Sequence, residues 1–329
     1  SYGFRYLENI FAYYFNIARE WEQWSIDLGL RAEQTEVKAT SKILGEVNNQ
    51  YYFELFPKMS LLYSANQNNS FGFSYSRSIS RPNYESLNPF RYFINENNYT
   101  DGNPSLAPEI DSKYTFSYTY NNTWFLEAYY WHIKNPLEEL RFQNNTTRAL
   151  QNLETNLIEG YQYSLDVTYA KSVRSWCYLQ VVASGFFIEN EFFALQSAQE
   201  TALANTYGFY GQIYSGLVLS EQANITSDIT MLYISNLIFG SYTYKNQFNL
   251  SASIRKKIWD KKASITLGVD DIFNTNNIPV VSRYANQDNG YFARTESRLF
   301  RVGFTYNFGN SKLQDNNREI TTKESDRLN

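Results

Sequence analysis

Phe300-Arg301-Val302-Gly303-Phe304-Thr305-Tyr306-Asn307-Phe308 alternates without a break between an apolar ring or branched chain and a small or polar residue. Successive side chains of a strand point to opposite faces, so this stretch predicts a strand that is greasy on one side and polar on the other. A soluble sandwich hides the greasy face against a second sheet. A membrane barrel turns it to lipid and keeps the polar face for a wet lumen. The same alternation recurs upstream. Trp24, Ile26, Leu28 and Leu30 oppose Ser25, Asp27, Gly29 and Arg31, and Phe71, Phe73 and Tyr75 oppose Gly72, Ser74 and Ser76. Tyr114, Phe116, Tyr118 and Tyr120 oppose Lys113, Thr115, Ser117 and Thr119, and Ile265, Leu267 and Val269 oppose Ser264, Thr266, Gly268 and Asp270. About thirteen strands follow from this pattern. They lie near 8–20, 22–38, 51–66, 69–80, 110–121, 123–141, 157–171, 174–190, 203–221, 223–244, 246–259 and 262–273, with a last strand ending at Phe308.

Composition favours the barrel. Aromatics are 18% of 329 residues, yet the mean hydropathy is negative. No apolar run approaches the ~18 residues of a transmembrane helix. A barrel needs only every second residue to be apolar, and Tyr and Trp favour membrane interfaces. The single Cys177 excludes an intrachain disulfide. A net charge of −4 without a basic block leaves no electrostatic footprint for nucleic acid.

The connections alternate in length. Tight links are expected at 65–69, 120–123, 170–173 and 259–262, and longer polar ones near 38–50, 81–109, 142–156, 190–202 and 274–291. Short periplasmic turns and long extracellular loops are the arrangement of a bacterial outer-membrane barrel. Only Tyr244-Lys245-Asn246 is short where a long link is due. An odd strand count places the start of the first strand outside, whereas bacterial barrels have even counts with both ends inside. The chain is therefore expected to begin part-way through a larger barrel. It opens Ser1-Tyr2-Gly3-Phe4 without an export signal. Residues 310–329 are charged and aperiodic, which predicts a flexible polar tail beyond a barrel spanning 1–309.

The run Ser78-Ile79-Ser80-Arg81-Pro82-Asn83-Tyr84-Glu85-Ser86-Leu87-Asn88-Pro89-Phe90, followed by Gly102-Asn103-Pro104-Ser105-Leu106-Ala107-Pro108-Glu109, resembles a motif of TonB-dependent outer-membrane receptors, especially the Bacteroidetes outer-membrane β-barrel family. Asp270-Asp271-Ile272-Phe273-Asn274-Thr275 is similar to the end of the family's penultimate strand, and Phe304-Thr305-Tyr306-Asn307-Phe308-Gly309 to its closing strand. The resemblance implies an all-β antiparallel transmembrane barrel of 22 strands, of which this chain is the C-terminal portion. It also implies an N-terminal plug, upstream strands and a TonB-contacting segment outside this sequence, and import of a scarce nutrient.

Catalysis fits poorly. The one histidine, His132, would have to serve any Ser-His-Asp hydrolase, and it reads more simply as an aromatic-girdle residue. One His and one Cys exclude a His/Cys zinc cluster within this chain, and no cofactor is called for. The oxygen-rich runs Asn95-Asn98 with Asp101 and Asn286-Asn289 lack EF-hand spacing and read as solvated loops. Arg77 and Arg81 share parity with the apolar face. They lie either at the outer rim, against lipopolysaccharide phosphates, or beyond a bulge that turns them inward. In the 81–109 connection Tyr84, Asn88, Phe90, Tyr92 and Tyr99 combine rings with amides, which suits stacking on a sugar or peptide ligand; alternatively they pack on neighbouring loops. Asp27, Arg31, Lys113, Asp166, Arg255 and Asp270 have lumen parity and are expected to meet the plug. The reading is a nutrient importer of the outer membrane. The alternative is a scaffold barrel that binds a surface lipoprotein.

Overall fold

The computed structural model describes residues 3–42, 47–195, 197, 200–292 and 294–308. From the N-terminus the elements are β1 (Phe4–Glu20), β2 (Trp24–Ser41), β3 (Val47–Asn66), β4 (Asn69–Ser80), the short helix α1 (Tyr84–Leu87), β5 (Tyr92–Asn95), β6 (Asn98–Asp101) and β7 (Glu109–Tyr120). There follow β8 (Trp124–Lys134), β9 (Leu137–Asn144), β10 (Ala149–Asn156), β11 (Glu159–Arg174), β12 (Cys177–Phe193), β13 (Thr201–Ser220) and β14 (Ile225–Ile234). The last are β15 (Leu237–Phe239), β16 (Tyr242–Tyr244), β17 (Gln247–Ile258), β18 (Ala263–Asp270), β19 (Pro279–Tyr284), β20 (Gln287–Phe292) and β21 (Leu299–Tyr306). One antiparallel sheet of 13 strands forms the wall, in the order β1-β2-β3-β4-β7-β8-β11-β12-β13-β14-β17-β18-β21. The remaining strands form two four-stranded sheets within the long connections, β5-β6-β10-β9 and β15-β16-β19-β20.

Register shows why the wall is two-faced. Ile17, Leu28, Met59, Tyr75, Tyr114, Tyr130, Tyr163, Phe187 and Tyr207 stand directly opposite one another across successive strands. One residue away, the row reads Asn16, Gly29, Lys58, Ser76, Lys113, Trp131, Gln162, Ile188 and Thr206. Tyr207 and Phe300 are 81% and 80% exposed. Leaving such rings in water forgoes about 1.5–3 kcal/mol each, so the outer face belongs in hydrocarbon.

Orientation comes from tryptophan. Trp21 lies in the β1–β2 turn, Trp24 opens β2, Trp124 opens β8, and Trp176 and Trp259 lie in the β11–β12 and β17–β18 turns. All five are exposed, and they mark one interfacial belt at the short-turn end. The sixth, Trp131, faces the other way and donates to Asp111 at 3.0 Å. Among the described residues no helix is long and apolar enough to cross a membrane; the strands do so.

The short turns fall at 21–23, 67–68, 121–123, 175–176, 221–224 and 259–262, and they alternate with connections at 42–46, 81–108, 135–158, 194–200, 235–246 and 271–298. Several sequence expectations are corrected. The sixth wall strand ends at Lys134, because Asn135 has φ +53° and Pro136 follows, and β9 and β10 form a separate hairpin. The strand expected over 223–244 ends at Ile234, and 237–244 fold back as β15 and β16. The link that looked too short at 244–246 is therefore the end of a long loop. The tight turn expected at 170–173 lies at Ser175-Trp176. The connections expected at 38–50 and 190–202 shrink, because the strands run on beyond the membrane with polar residues on both faces. Residues 310–329 lie outside the described residues.

The packed core lies where the 135–158 connection meets the ends of β12 and β13. Leu140, Phe142, Leu157 and Phe192 are buried together, with Leu153, Leu195, Ala202, Ala204 and Tyr284 against them.

Candidate functional site

The 81–108 connection folds inward over the polar face of β1–β3. The chain leaves β4 at Arg81-Pro82, and Asn83 caps α1 by accepting from Ser86 N at 2.7 Å. Leu87 and Leu106 are buried beneath it. Asn48 donates to the Pro104 carbonyl at 2.7 Å and Gln50 to that of Leu106 at 3.0 Å. Asn156 grips Ala107 twice, accepting from its N–H at 2.8 Å and donating to its carbonyl at 2.9 Å. Ser86 donates to Glu154. The long Ser78–Glu109 motif thus acts as a staple that folds this loop into the mouth.

Arg81 is the electrostatic pin of that staple. Its guanidinium meets Glu33, Glu8 at 3.2 Å and Thr35 at 3.3 Å, while Arg31 pairs with the other oxygen of Glu33. Glu33 and Thr35 are fully buried, so a charge of one sign is met by the other where water is excluded. No bulge turns Arg81 inward, since β4 and β7 stay in register to Ser80↔Glu109. The strand simply ends and the chain bends in. Arg77 stays on the outer parity but reaches sideways to Glu54 at 2.6 Å. Neither arginine stands free at the rim.

Of the five ring and amide candidates, Tyr92 projects most. It is 71% exposed at the start of β5, beside the exposed Phe93 and Ile94. Tyr84 is partly exposed and meets Tyr6 edge-on at 5.8 Å. Asn88, Phe90 and Tyr99 are half-buried. Arg91 covers the Tyr99 ring at 4.0 Å and holds both Asp101 oxygens at 2.8 and 2.9 Å.

A second constellation was not visible in the sequence. Glu138, Glu139 and Arg141 of β9, Phe239 of β15, Tyr242 and Tyr244 of β16 and Tyr291 of β20 line a hollow of about 340 Å³. Arg141 lies against both Tyr242 and Tyr291, at 5.5 and 4.8 Å from their centroids, where the two rings meet edge-on, and 3.6 Å from Glu139. Gln287 clamps the two small sheets together, accepting from Gln143 N at 2.6 Å and donating to Gln143 O at 3.0 Å. The β15–β16 turn needs Gly240, at φ +53°, to lie against Leu140, and Asn190 donates to its carbonyl at 3.2 Å. Burial and hydrogen bonding with Tyr291 push the Tyr244 hydroxyl up to about 12. These residues were missed because 123–141 and 223–244 alternate like wall strands.

Burial, with Glu109 and Glu154 nearby, pushes the Glu138 carboxyl up to about 7. Below about 4.5 it is protonated whether the loops are folded or not. As pH rises from there through 7, the unfolded form ionises first and stability is lost. The difference is worth about 3 kcal/mol. Glu138→Gln is expected to flatten this slope and to protect β9 more than wild type at pH 8. Hydrogen exchange of 137–156 at pH 5 and pH 8 measures it; equal slopes in both proteins would refute it.

The outer membrane protein β-barrel family matches residues 1–306. The chain belongs to that family. Its fold is that of TonB-dependent receptor barrels. The siderophore receptor PiuA from Acinetobacter baumannii superposes with a TM-score of 0.59 at 13% identity, over 91% of this chain and 43% of the receptor. The ferric-catecholate import receptor Fiu from E. coli K12 gives 0.61 at 12% identity, over 93% and 45%. The copper transporter OprC gives 0.64 at 10% identity, over 92% and 49%. The chain thus spans about half the length of these solved proteins. No curated protein matches it by sequence.

In this outer-membrane barrel the six lumen-parity residues all lie on the polar face. Asp27 stands opposite Ser60, and Arg31 pairs with Glu33. Lys113 sits 4.0 Å over Tyr129, and Asp166 accepts from Ser164 at 2.6 Å. Arg255 donates to Thr266 at 3.2 Å, and Arg301 to Asp270 at 2.6 Å. His132 stacks on Tyr161 at 4.9 Å on the outer face, 3.7 Å from Glu159, the position of a girdle residue.

Proposed function

We propose that this chain is the C-terminal barrel portion of a TonB-dependent importer that captures a nutrient at its extracellular loops. A siderophore, a glycan or a peptide fits this reading. The observation that carries it is the roof. The long connections pack a hydrophobic core against the ends of β12 and β13, and the 81–108 loop is folded into the mouth, where a passive pore needs an open one. The aromatic hollow around Arg141 and the exposed Tyr92 of β5 offer rings, amides and a guanidinium to a ligand. The solved neighbours, by name siderophore receptors and a copper transporter, support import. A plug and upstream strands would meet the polar face, Asp27 to Asp270, and TonB would supply energy through them. Lipid and lipopolysaccharide would cover the outer face.

The test is uptake by cells carrying the natural protein, with ferric catecholate and a labelled oligosaccharide as probes, with and without TonB. Accumulation that collapses without TonB supports import. Accumulation indifferent to TonB indicates a passive pore. A second reading, a scaffold that docks a surface lipoprotein, draws on the exposed Tyr92-Phe93-Ile94 run of β5. Co-purification of such a partner without uptake of any probe would favour it.

A further inference from the structure

Among the described residues the wall has one parting at which both strands run on. The ladder between β3 and β4 stops at Lys58↔Ser76, yet neither strand ends there. β3 continues back to Val47, paired only with β2, and β4 continues to Ser80, paired only with β7. Arg77 is eight residues up from Asn69 at the short-turn end of β4. At a rise of ~3.4 Å and a tilt of ~40°, that is about 20 Å into the membrane. The parting therefore opens within the outer-leaflet half, where unpaired backbone groups are costly.

The residues at the parting answer that cost. Pro57, the first residue of β3 past the last rung, has no N–H to leave unpaired. Arg77, the first residue of β4 past the same rung, donates one guanidinium nitrogen to the orphaned Leu55 carbonyl and another to Glu54 at 2.6 Å. Its plane lies over Phe56, 5.6 Å from the ring centroid. A side chain thus replaces main-chain rungs. A hollow of about 370 Å³ lies beside it, lined among others by Gly29, Phe56, Lys58, Arg77 and Ser78. On the β3 side of the parting, the inner face of β1 to β3 holds the 81–108 loop through Glu8, Glu33, Asn48 and Gln50.

We propose that the upper part of the wall on the β3 side of the parting is a hinged flap. It pivots at Pro57, is latched by Arg77, and carries the 81–108 loop with it when it moves. The latch is a reversible substitute for a β-ladder: releasing two hydrogen bonds frees one lip of the wall without unzipping its neighbours. Because β4 runs directly into Arg81, the loop is tied to both lips, and movement of the flap changes how the loop fills the mouth. This goes beyond nutrient capture and does not depend on what is imported.

The experiment uses the natural protein in outer-membrane vesicles, read by hydrogen exchange. Arg77→Ala is expected to raise exchange of 47–57 and of 81–108 together, by about tenfold, and to leave 109–134 unchanged. Arg77→Lys is expected to fall between, since an ammonium keeps the charge but not the fork. In a Cys177→Ser background, Glu54→Cys with Arg77→Cys, bridged by a short bifunctional thiol reagent, is expected to protect both segments again relative to the same protein unbridged. That comparison holds even if Arg77→Ala assembles poorly. Exchange confined to 77–80, loosening of one segment without the other, or a bridge that leaves 81–108 as open as before would each overturn the proposal.

Discussion

Gly102→Ala releases the 81–108 loop from the barrel mouth. A Cβ on Gly102 would overlap the Asn88 carbonyl, 2.6 Å from its carbon and 3.0 Å from the Ser86 oxygen. Every one of these atoms is backbone, so no rotamer relieves the contact. The next residue, Asn103, donates its N–H to Ser86 O at 2.6 Å, which fixes the approach from the other side. Overpacking typically costs about 1–3 kcal/mol, and with main chain on both sides about 3 kcal/mol or more is expected here. The loop then loses Asn48→Pro104 and Gln50→Leu106 together, because both partners lie just past Gly102. Limited proteolysis of intact vesicles should cut Gly102→Ala within 81–108 while the wall keeps its resistance to heating in detergent. A variant loop as protected as wild type would show that the backbone yields where the geometry says it cannot.

The wall was legible because lipid enforces a period of two. Tyr114, Phe116 and Tyr118 had to face one way, and the register bears this out. Parity failed where a strand ended. Arg81 has the parity of Tyr75 and Ile79, but no ladder holds it beyond Ser80, and a buried Glu33 draws it inward. Polarity also failed as a loop signal. Thr40 and Asn49 are wall residues, because a strand that rises clear of the bilayer has water on its outer face. The aromatic hollow was hidden for a different reason. Tyr242 and Tyr244 alternate as a wall strand does, and only Gly240 at positive φ shows that the chain turns back. Its members come from β9, β15, β16 and β20, and no local pattern links hairpins so far apart. The tryptophan belt needed only strand ends, which the sequence already placed within a few residues.

Asp271→Ala is expected to loosen the whole 271–298 connection. The side chain is fully buried at a residue with φ +43°. It accepts from Thr275 N at 3.0 Å, Asn276 N at 3.0 Å, the Thr275 hydroxyl at 3.2 Å and the Ser297 hydroxyl at 2.6 Å. One carboxylate thus ties the start of the connection to its end, which explains the Asp270–Thr275 run as a structural turn. Burial alone would raise its pKa, but the donors of Ser297, Thr275 and Asn276 outweigh it and hold the carboxyl below its ordinary 3.8. Its stabilisation is therefore complete above that value and is lost as pH falls below it. Hydrogen bonds to a charged group are worth about 1.5–3 kcal/mol each, and unpaired buried donors add to the loss, so removing the carboxylate should cost the connection about 4 kcal/mol or more. Asp271→Asn keeps an acceptor without the charge and should fall between. Tyr291 lies in this connection, so the Arg141 hollow should open with it. Hydrogen exchange of 271–298, referenced to 109–134, reads the effect. If Asp271→Ala is as protected as wild type at pH 7, the carboxylate does not organise this loop.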